Sequence, residues 1–374
     1  MSGHVRQRGK KGQWYAVIDV DEGGKRKRRW HKLENCNGKR EAQKACERLI
    51  AQQEDGTYVD RSTMTVAEFV RERINQWEAA GNITPRTAQR YRQLAENQIV
   101  PHLGNKPLQK MSPLDIEEWH TALQNGHAAR TIGHAHRVLG KALKDAERDG
   151  LVTRNVCKLV KAPKVADSEM AIVQDVPDFV SRLRQAAGRL YVSAIVALCT
   201  GMRLGEVLAL RERSFKPDKG TIEVREALEE TKAHGIRFKS VKTKAGRRDI
   251  TLPDIALKAL REHRNQLLET RLLLGQGRLA PDNLLFGNLE GGPLRPSAIS
   301  SDWGDVAERL DMPEITFHGL RHTHASQLIA SGVDIVTISK RLGHAKPSVT
   351  LAIYAHMFHT DDSKAAVAIN TALG

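Results

Sequence analysis

Hydrophobic positions in the first sixty residues follow two periods. Trp14 to Val20 is rich in strand formers, with partial alternation, and predicts a β-strand. Glu22-Gly23-Gly24 is a turn signal, Lys25 to Lys32 a returning strand, and Val5 to Arg8 a short third strand. From Lys39 to Gln53 the period changes to that of a helix, with Ala42, Ala45, Cys46, Leu49 and Ile50 on one face. A second pattern starts at Thr65. Glu68 three residues later makes a capping box, and Val66, Phe69, Val70 and Ile74 form the apolar stripe. Thr84-Pro85 and Ser112-Pro113 open two further helices, and Ala128 to Arg148 is a fourth. The run Pro101 to Pro107 is expected to break the chain.

Residues 163–170 have no apolar period and read as a linker. Beyond it, helices are predicted over Val176 to Ala186, Leu190 to Leu198 and Arg203 to Leu210. A strand-rich stretch follows, at Thr221 to Arg225, Ile236 to Ser240 and Asp249 to Leu252. Helices resume from Pro253 to Leu274 and again after Ser297. The expected plan is three domains, at 1–60, 65–162 and 171–374. The fold is mainly α with small β-sheets: a three-stranded sheet plus helix, a helical bundle, and a mixed α+β unit.

Charge narrows the partner. Of 374 residues, 59 are Lys or Arg and 44 Asp or Glu, a formal net charge of +15. A polyanion is the expected ligand, nucleic acid ahead of an acidic membrane surface. The excess is spread evenly: 14 basic against 9 acidic residues in 1–60, 17 against 12 in 61–170, 28 against 23 in 171–374. Aromatic residues are only 5%, which argues against a single-strand binder built on stacking platforms. The longest apolar run, Tyr191 to Cys199, is interrupted by Ser193 and too short to span a bilayer. The N-terminus has no signal-peptide apolar segment. Four scattered cysteines without a Cys-x-x-Cys pair argue against a disulfide framework or zinc module. A reducing, intracellular setting is expected. Lys25, Arg26, Lys27, Arg28 and Arg29, with Arg86, Arg90, Arg137 and Lys141 on the bundle helices, are the residues expected to touch DNA.

Four short segments of the last unit carry candidate chemistry: Thr200 to Leu210, Val241 to Ile250, Thr316 to Ser326 and Leu342 to His356. Each alone has a plain reading, as an ion pair at i,i+3, a solvated loop, a histidine-rich helix or a helix-turn-helix. Together they set Arg203, Lys242, His318, Arg321, His344 and Tyr354 in one basic unit. Two guanidiniums match phosphate oxygens with their planar forks. A phenol, with an ordinary pKa of about 10, needs a proton acceptor before it attacks phosphorus, and His318 is a candidate. A lysine on a hairpin tip can protonate the departing oxygen. No acidic or cysteine ligand sits beside His318, His322 and His324, so a metal is not expected.

In Gly201-Met202-Arg203-Leu204-Gly205-Glu206, Lys242-Thr243 before Arg247-Arg248, His318-Gly319-Leu320-Arg321-His322-Thr323, Leu342-Gly343-His344 and the Tyr354 segment, the chain resembles the tyrosine recombinase family, in its phage-integrase branch. The resemblance implies a site-specific recombinase that cuts and rejoins DNA through a 3′-phosphotyrosyl link, to integrate or excise a phage or other mobile element. It implies that Tyr354 is the nucleophile and that Arg203 and Arg321 clamp the phosphate. Lys242 would be the general acid, with nearby Lys244 the other lysine the spacing allows. His318 would assist proton transfer, His344 would hydrogen-bond the phosphate, and Glu206 would orient Arg203. Gly319 stands where many relatives have Asp. The front units would be an arm-type DNA-binding domain and a helical core-binding domain. Partners would be double-stranded DNA at core-type and arm-type attachment sites, three further copies in a tetramer, and accessory DNA-bending or directionality factors. No cofactor is implied, and a cytoplasmic, nucleoid-associated location is expected. The alternatives are a type IB topoisomerase-like relaxing enzyme and a non-catalytic helix-turn-helix regulator.

Overall fold

The computed structural model describes residues 3–8, 12–22, 25–54, 62–166, 170–241, 245–357 and 362–373. Contacts divide the chain into two units, at Ala166/Asp167. The first begins with β1 (Gly3–Arg8), β2 (Gln13–Glu22) and β3 (Lys25–Lys32), an antiparallel sheet in that order. The register pairs Val5 with Ala16 and Ile18 with Arg29. Ala16 and Ile18 point to one face and bury against Ala42 and Cys46, one turn apart on α1 (Lys39–Glu54). Val17, on the other face, is buried too, which is why alternation in this strand is only partial.

The helices that follow have their own core. In α2 (Val66–Ala79) the Thr65 side chain caps Glu68 N–H and the Glu68 carboxylate caps Thr65 N–H. Next come α3 (Pro85–Leu94), a π turn at Ala95–Ile99, and α4 (Val100–Leu103). The break expected from Pro101 on is therefore delayed. Pro101 lies in the first turn of α4, where its missing N–H costs little, and the helical run ends at Gly104. α5 (Pro113–Gln124) starts from a second capping box, Ser112 with Asp115, and α6 (Ala129–Arg148) closes the bundle. Phe69, Ile74, Leu94, Ile99, Ile116, Trp119 and Leu139 fill its centre.

The second unit opens with α7 (Val176–Ala186), α8 (Tyr191–Thr200) and the short α9 (Leu204–Leu208). Then come β4 (Phe215–Lys216), β5 (Thr221–Val224), β6 (Glu226–Thr231), β7 (Gly235–Ser240) and β8 (Arg248–Thr251). They form two small antiparallel sheets, β4-β5-β8 and β6-β7. Strand β6 was not expected, because its half-buried face carries Glu226 and Glu230 in place of apolar residues. The helices α10 (Asp254–Leu273), α11 (Pro296–Arg309), α12 (Phe317–Ala330), α13 (Ile335–Leu342), α14 (Pro347–Tyr354) and α15 (Asp362–Leu373) complete it. Helix α8 is apolar on nearly all sides and packs against α10 and α12. Its main core includes Ile195, Val207, Ile222, Ile250, Leu260 and Trp303. A smaller cluster of Ala325, Ile329, Ile338, Leu342 and Tyr354 fastens α12, α13 and α14 to one another.

Candidate active site

The site is built where α8 ends. Gly201 terminates that helix at φ +67°, and a side-chain carbon there would lie 2.6 Å from Leu342 and 2.8 Å from His324. Glycine is required twice over, for the left-handed backbone and for the close approach. The chain re-emerges at Arg203. The expected helix over Arg203 to Leu210 is shorter, and Arg203 sits at its N-cap in an extended conformation. So Arg203 and Glu206 do not meet as neighbours on a helix face. The Glu206 carboxylate folds back, accepting the Arg203 backbone N–H at 3.0 Å and its Nη1 at 2.9 Å. The Arg203 side chain is 43% exposed, with Glu206 fully covered beneath it.

Glu206 has a second partner that composition and spacing did not single out. Arg248, buried at the start of β8, donates Nη2 to Glu206 at 2.9 Å. It also donates Nε to the Arg341 carbonyl at 2.7 Å and Nη1 to the Gly246 carbonyl at 3.2 Å. Burial works to raise the Glu206 pKa, but Arg248 first and Arg203 next outweigh it and hold the carboxyl below its ordinary range. Gly343 ends α13 at φ +70°, and a side chain there would collide with the Arg248 guanidinium. One arginine thus ties the support of Arg203 to the turn that carries His344.

Arg321, on α12, is 2% exposed. Its Nη1 donates to the carbonyls of Gly201 (2.6 Å) and Leu342 (2.8 Å), and its Nη2 lies 2.8 Å from His344 Nε2. An arginine only donates, so His344 Nε2 accepts, and its Nδ1 carries the proton to Thr350 Oγ1 at 2.7 Å. Burial, then Arg321, brings the His344 pKa down to about 4, so the ring is neutral. Two of the five Arg321 N–H groups remain unused among the described residues.

Tyr354 ends α14. That helix has Lys346 at its N-cap and Pro347 in its first turn. The Tyr354 ring is buried, and its hydroxyl lies 2.8 Å from His322 Nδ1. Burial pushes the phenol pKa up to about 12, while Arg321 and Arg203 act to lower it. The ring of His322 meets His318 edge-on at 4.7 Å. His318, the expected proton acceptor, is exposed and has no hydrogen bond to Tyr354 among the described contacts. His324 belongs to the scaffold: its Nε2 accepts from Arg341 Nε at 3.1 Å. Lys242 and Lys244 lie outside the described residues.

The DNA-contact residues fall into groups. Arg86, Arg90 and Arg137 are exposed on α3 and α6, and Arg137, Arg90 and Arg130 are close enough to His134 to help depress its pKa, after burial. Lys141 is half-buried instead, with its ammonium 4.1 Å from the Trp77 ring centre. Arg28 and Arg29 are exposed on β3, and Arg28 reaches Asp19 at 3.3 Å. Of Lys25, Arg26 and Lys27 only the backbone, on β3, is described.

The model of the "Phage integrase family" matches residues 173–360, half of the chain, and spans every catalytic candidate. The chain belongs to the phage integrase family. A second model, "Phage integrase, N-terminal SAM-like domain", matches residues 69–124 of this integrase. The integrase of Streptomyces ambofaciens is 27% identical over 360 residues, covering 92% of this chain and 89% of that one. Tyrosine recombinase XerC of Mesorhizobium japonicum is 27% identical over 266 residues, 67% of this chain and 78% of that one. Among solved structures, the Tn1549 transposon integrase in complex with circular intermediate DNA shares the fold, with a TM-score of 0.68 at 21% identity, covering 83% of this chain and all of that one. The protein is a tyrosine-type site-specific recombinase. Among the described residues, no helix is long and apolar enough to cross a membrane.

Proposed function

We propose that Tyr354 is the nucleophile of this integrase and that Arg203 and Arg321 hold the scissile phosphate. The observation that carries the reading is that α12 holds Arg321 beside His322, whose Nδ1 lies 2.8 Å from the buried Tyr354 hydroxyl, while Arg321 Nη1 bonds the carbonyl of Gly201, two residues before Arg203. In the reaction the Tyr354 oxygen bonds to phosphorus, the bond to the 5′-oxygen breaks, and a 3′-phosphotyrosyl link conserves the bond energy for rejoining. Arg203 offers an exposed guanidinium braced by Glu206, and Arg321 offers its two unused N–H groups. Donors fixed in place before charge develops contribute the largest share of such a barrier's reduction. When DNA arrives, His344 donates Nε2–H to the phosphate from the opposite ring tautomer, with Nδ1 then accepting from the Thr350 hydroxyl. His318 assists proton transfer, and Lys242 protonates the leaving oxygen.

Residues 1–60 serve as the arm-type DNA-binding domain and 65–162 as the core-binding domain. The exposed Arg86, Arg90 and Arg137 on the bundle helices and the exposed Arg28 and Arg29 on β3 support this. The substrate is double-stranded DNA with core-type and arm-type sites, and the product is an integrated or excised mobile element. Exchange between two duplexes engages four strands with one tyrosine each, hence a homotetramer. The exposed Val367 and Ile369 of α15 offer it an apolar contact. Accessory DNA-bending or directionality factors act with it, in the cytoplasm at the nucleoid.

The test uses nicked duplexes with a randomised core, so that covalent adducts select their own sequence. Wild-type protein gives an adduct that survives a denaturing gel. Tyr354→Phe binds the selected duplex and gives none; an undiminished adduct overturns the assignment.

A further inference from the structure

We propose that His322, rather than His318, takes the proton from Tyr354 as its oxygen attacks phosphorus, and returns it when the strand is resealed. The inference rests on the strand-transfer reading above. Helix α12 sets His318, Arg321 and His322 at i, i+3 and i+4, on one face. Of the three, His322 alone is hydrogen-bonded to the phenol, Nδ1 to Oη at 2.8 Å. That is the distance at which a general base acts. His318 reaches only the His322 ring, edge-on, and so works through it as a positioning residue.

The step balances. The Tyr354 Oη–P bond forms, the P–O5′ bond breaks, the phenol proton moves to His322 Nδ1, and a proton from the general acid reaches O5′. Resealing reverses each transfer, and nothing is oxidised or reduced. The titratable and charged groups around the pair are His318 and Arg321 on the same helix, Tyr354 from α14, and Arg203 beyond the phenol. Burial, then His318 and Arg321, lowers the His322 pKa to about 4, so the ring is neutral and able to accept. A phosphate seated against Arg203 and Arg321 offsets the positive charge that depresses it, which strengthens the base as the substrate binds.

His322→Asn keeps a hydrogen-bonding group near the Nδ1 position but cannot hold a transferred proton. On the duplex selected above, this variant should form adduct about 100-fold more slowly at neutral pH, the lower end of what a positioned base supplies. Its rate should climb with pH between about pH 6 and 8, where the wild type, with its base already neutral, stays level. Added imidazole should restore part of the rate of His322→Ala. His318→Asn should lose less and keep the level profile. An equal loss at every pH, a loss under about tenfold, or no imidazole rescue overturns the proposal. If His322→Asn fails to bind DNA, the rescue of His322→Ala decides. An adduct from Tyr354→Phe fails the strand-transfer reading instead, and is told apart because it leaves the His322 variants' pH profiles without a tyrosine to explain.

Discussion

The bundle over residues 66–157 and the site around Arg203, Arg321 and Tyr354 are both helical, yet they place charge differently. In the bundle, the pair of Arg71 with Glu96 sits in water. Arg71 and Glu96 form a two-pronged pair at 2.7 Å with side chains 49% and 46% exposed. In the site, Arg248 and Glu206 pair at 2.9 Å with side chains 7% and 5% exposed. A buried ion pair costs desolvation that its attraction does no more than roughly offset, so it is poor evidence of stabilisation. Its worth here is positional: Glu206 aims Arg203, and Arg248 fixes the turn before His344. Histidines repeat the contrast. His120 in the bundle is bonded to His136 at 3.0 Å, whereas His322 and His344 are bonded to a phenol and a guanidinium.

That comparison can be broken at three levels, the largest first. Arg248→Ala leaves the buried Glu206 carboxylate with the half-exposed Arg203 as its remaining cation and should cost about 3 kcal/mol of the second unit's stability, read by chemical denaturation. Arg203 should lose its orientation along with it. A loss below about 1 kcal/mol would place this pair in the class of the exposed ones.

Acid gives the next effect. His120 has a pKa brought down to about 4 by burial, then by His136. A histidine depressed in the folded state is neutral there and charged in the unfolded chain below its ordinary value. Its contribution is thus complete above about pH 6.5 and is lost as pH falls through about 4, worth about 3 kcal/mol for this group. Among the described residues the second unit carries five histidines of the same sign, His322 and His344 at about 4, His324 at about 3, and His263 and His318 also lowered, against His120, His134 and His136 in the bundle. Between neutral pH and about pH 4.5, hydrogen exchange should therefore quicken more in α8 and α12 than in α6. Equal acceleration would remove the contrast. The smallest effect belongs to Arg71→Ala, which should shift the bundle's stability by less than about 1 kcal/mol in the same denaturation experiment.

Local signals carried far in this chain. The capping box at Thr65, the helix starts at Thr84-Pro85 and Ser112-Pro113, and the apolar face of α1 are matters of one or two turns, and the structure keeps them. The site was legible as a set of residue types in order. It was not legible as a set of contacts. Arg203 and Glu206 fit a helix face by spacing and meet through a cap. Lys141 looks like its exposed basic neighbours and rests on Trp77. Arg248 reads as part of a basic tip and is the buried link of the site.

The sequence by itself determined most of the helical and strand segments, the even basic charge, and the arginines, histidines and tyrosine that mark an integrase. These follow from propensity, period and residue chemistry, which act over a few positions. Only the tertiary structure decided which of the equivalent groups meet. His318 and His322 stand one turn apart with the same chemistry. The packing of α14 on α12 brings Tyr354 to His322, 32 residues earlier in the chain. The Arg248 bond to the Arg341 carbonyl spans 93 residues. Such contacts depend on how whole helices settle against a shared core, and a choice between neighbouring side chains is made there by distances of an ångström or two.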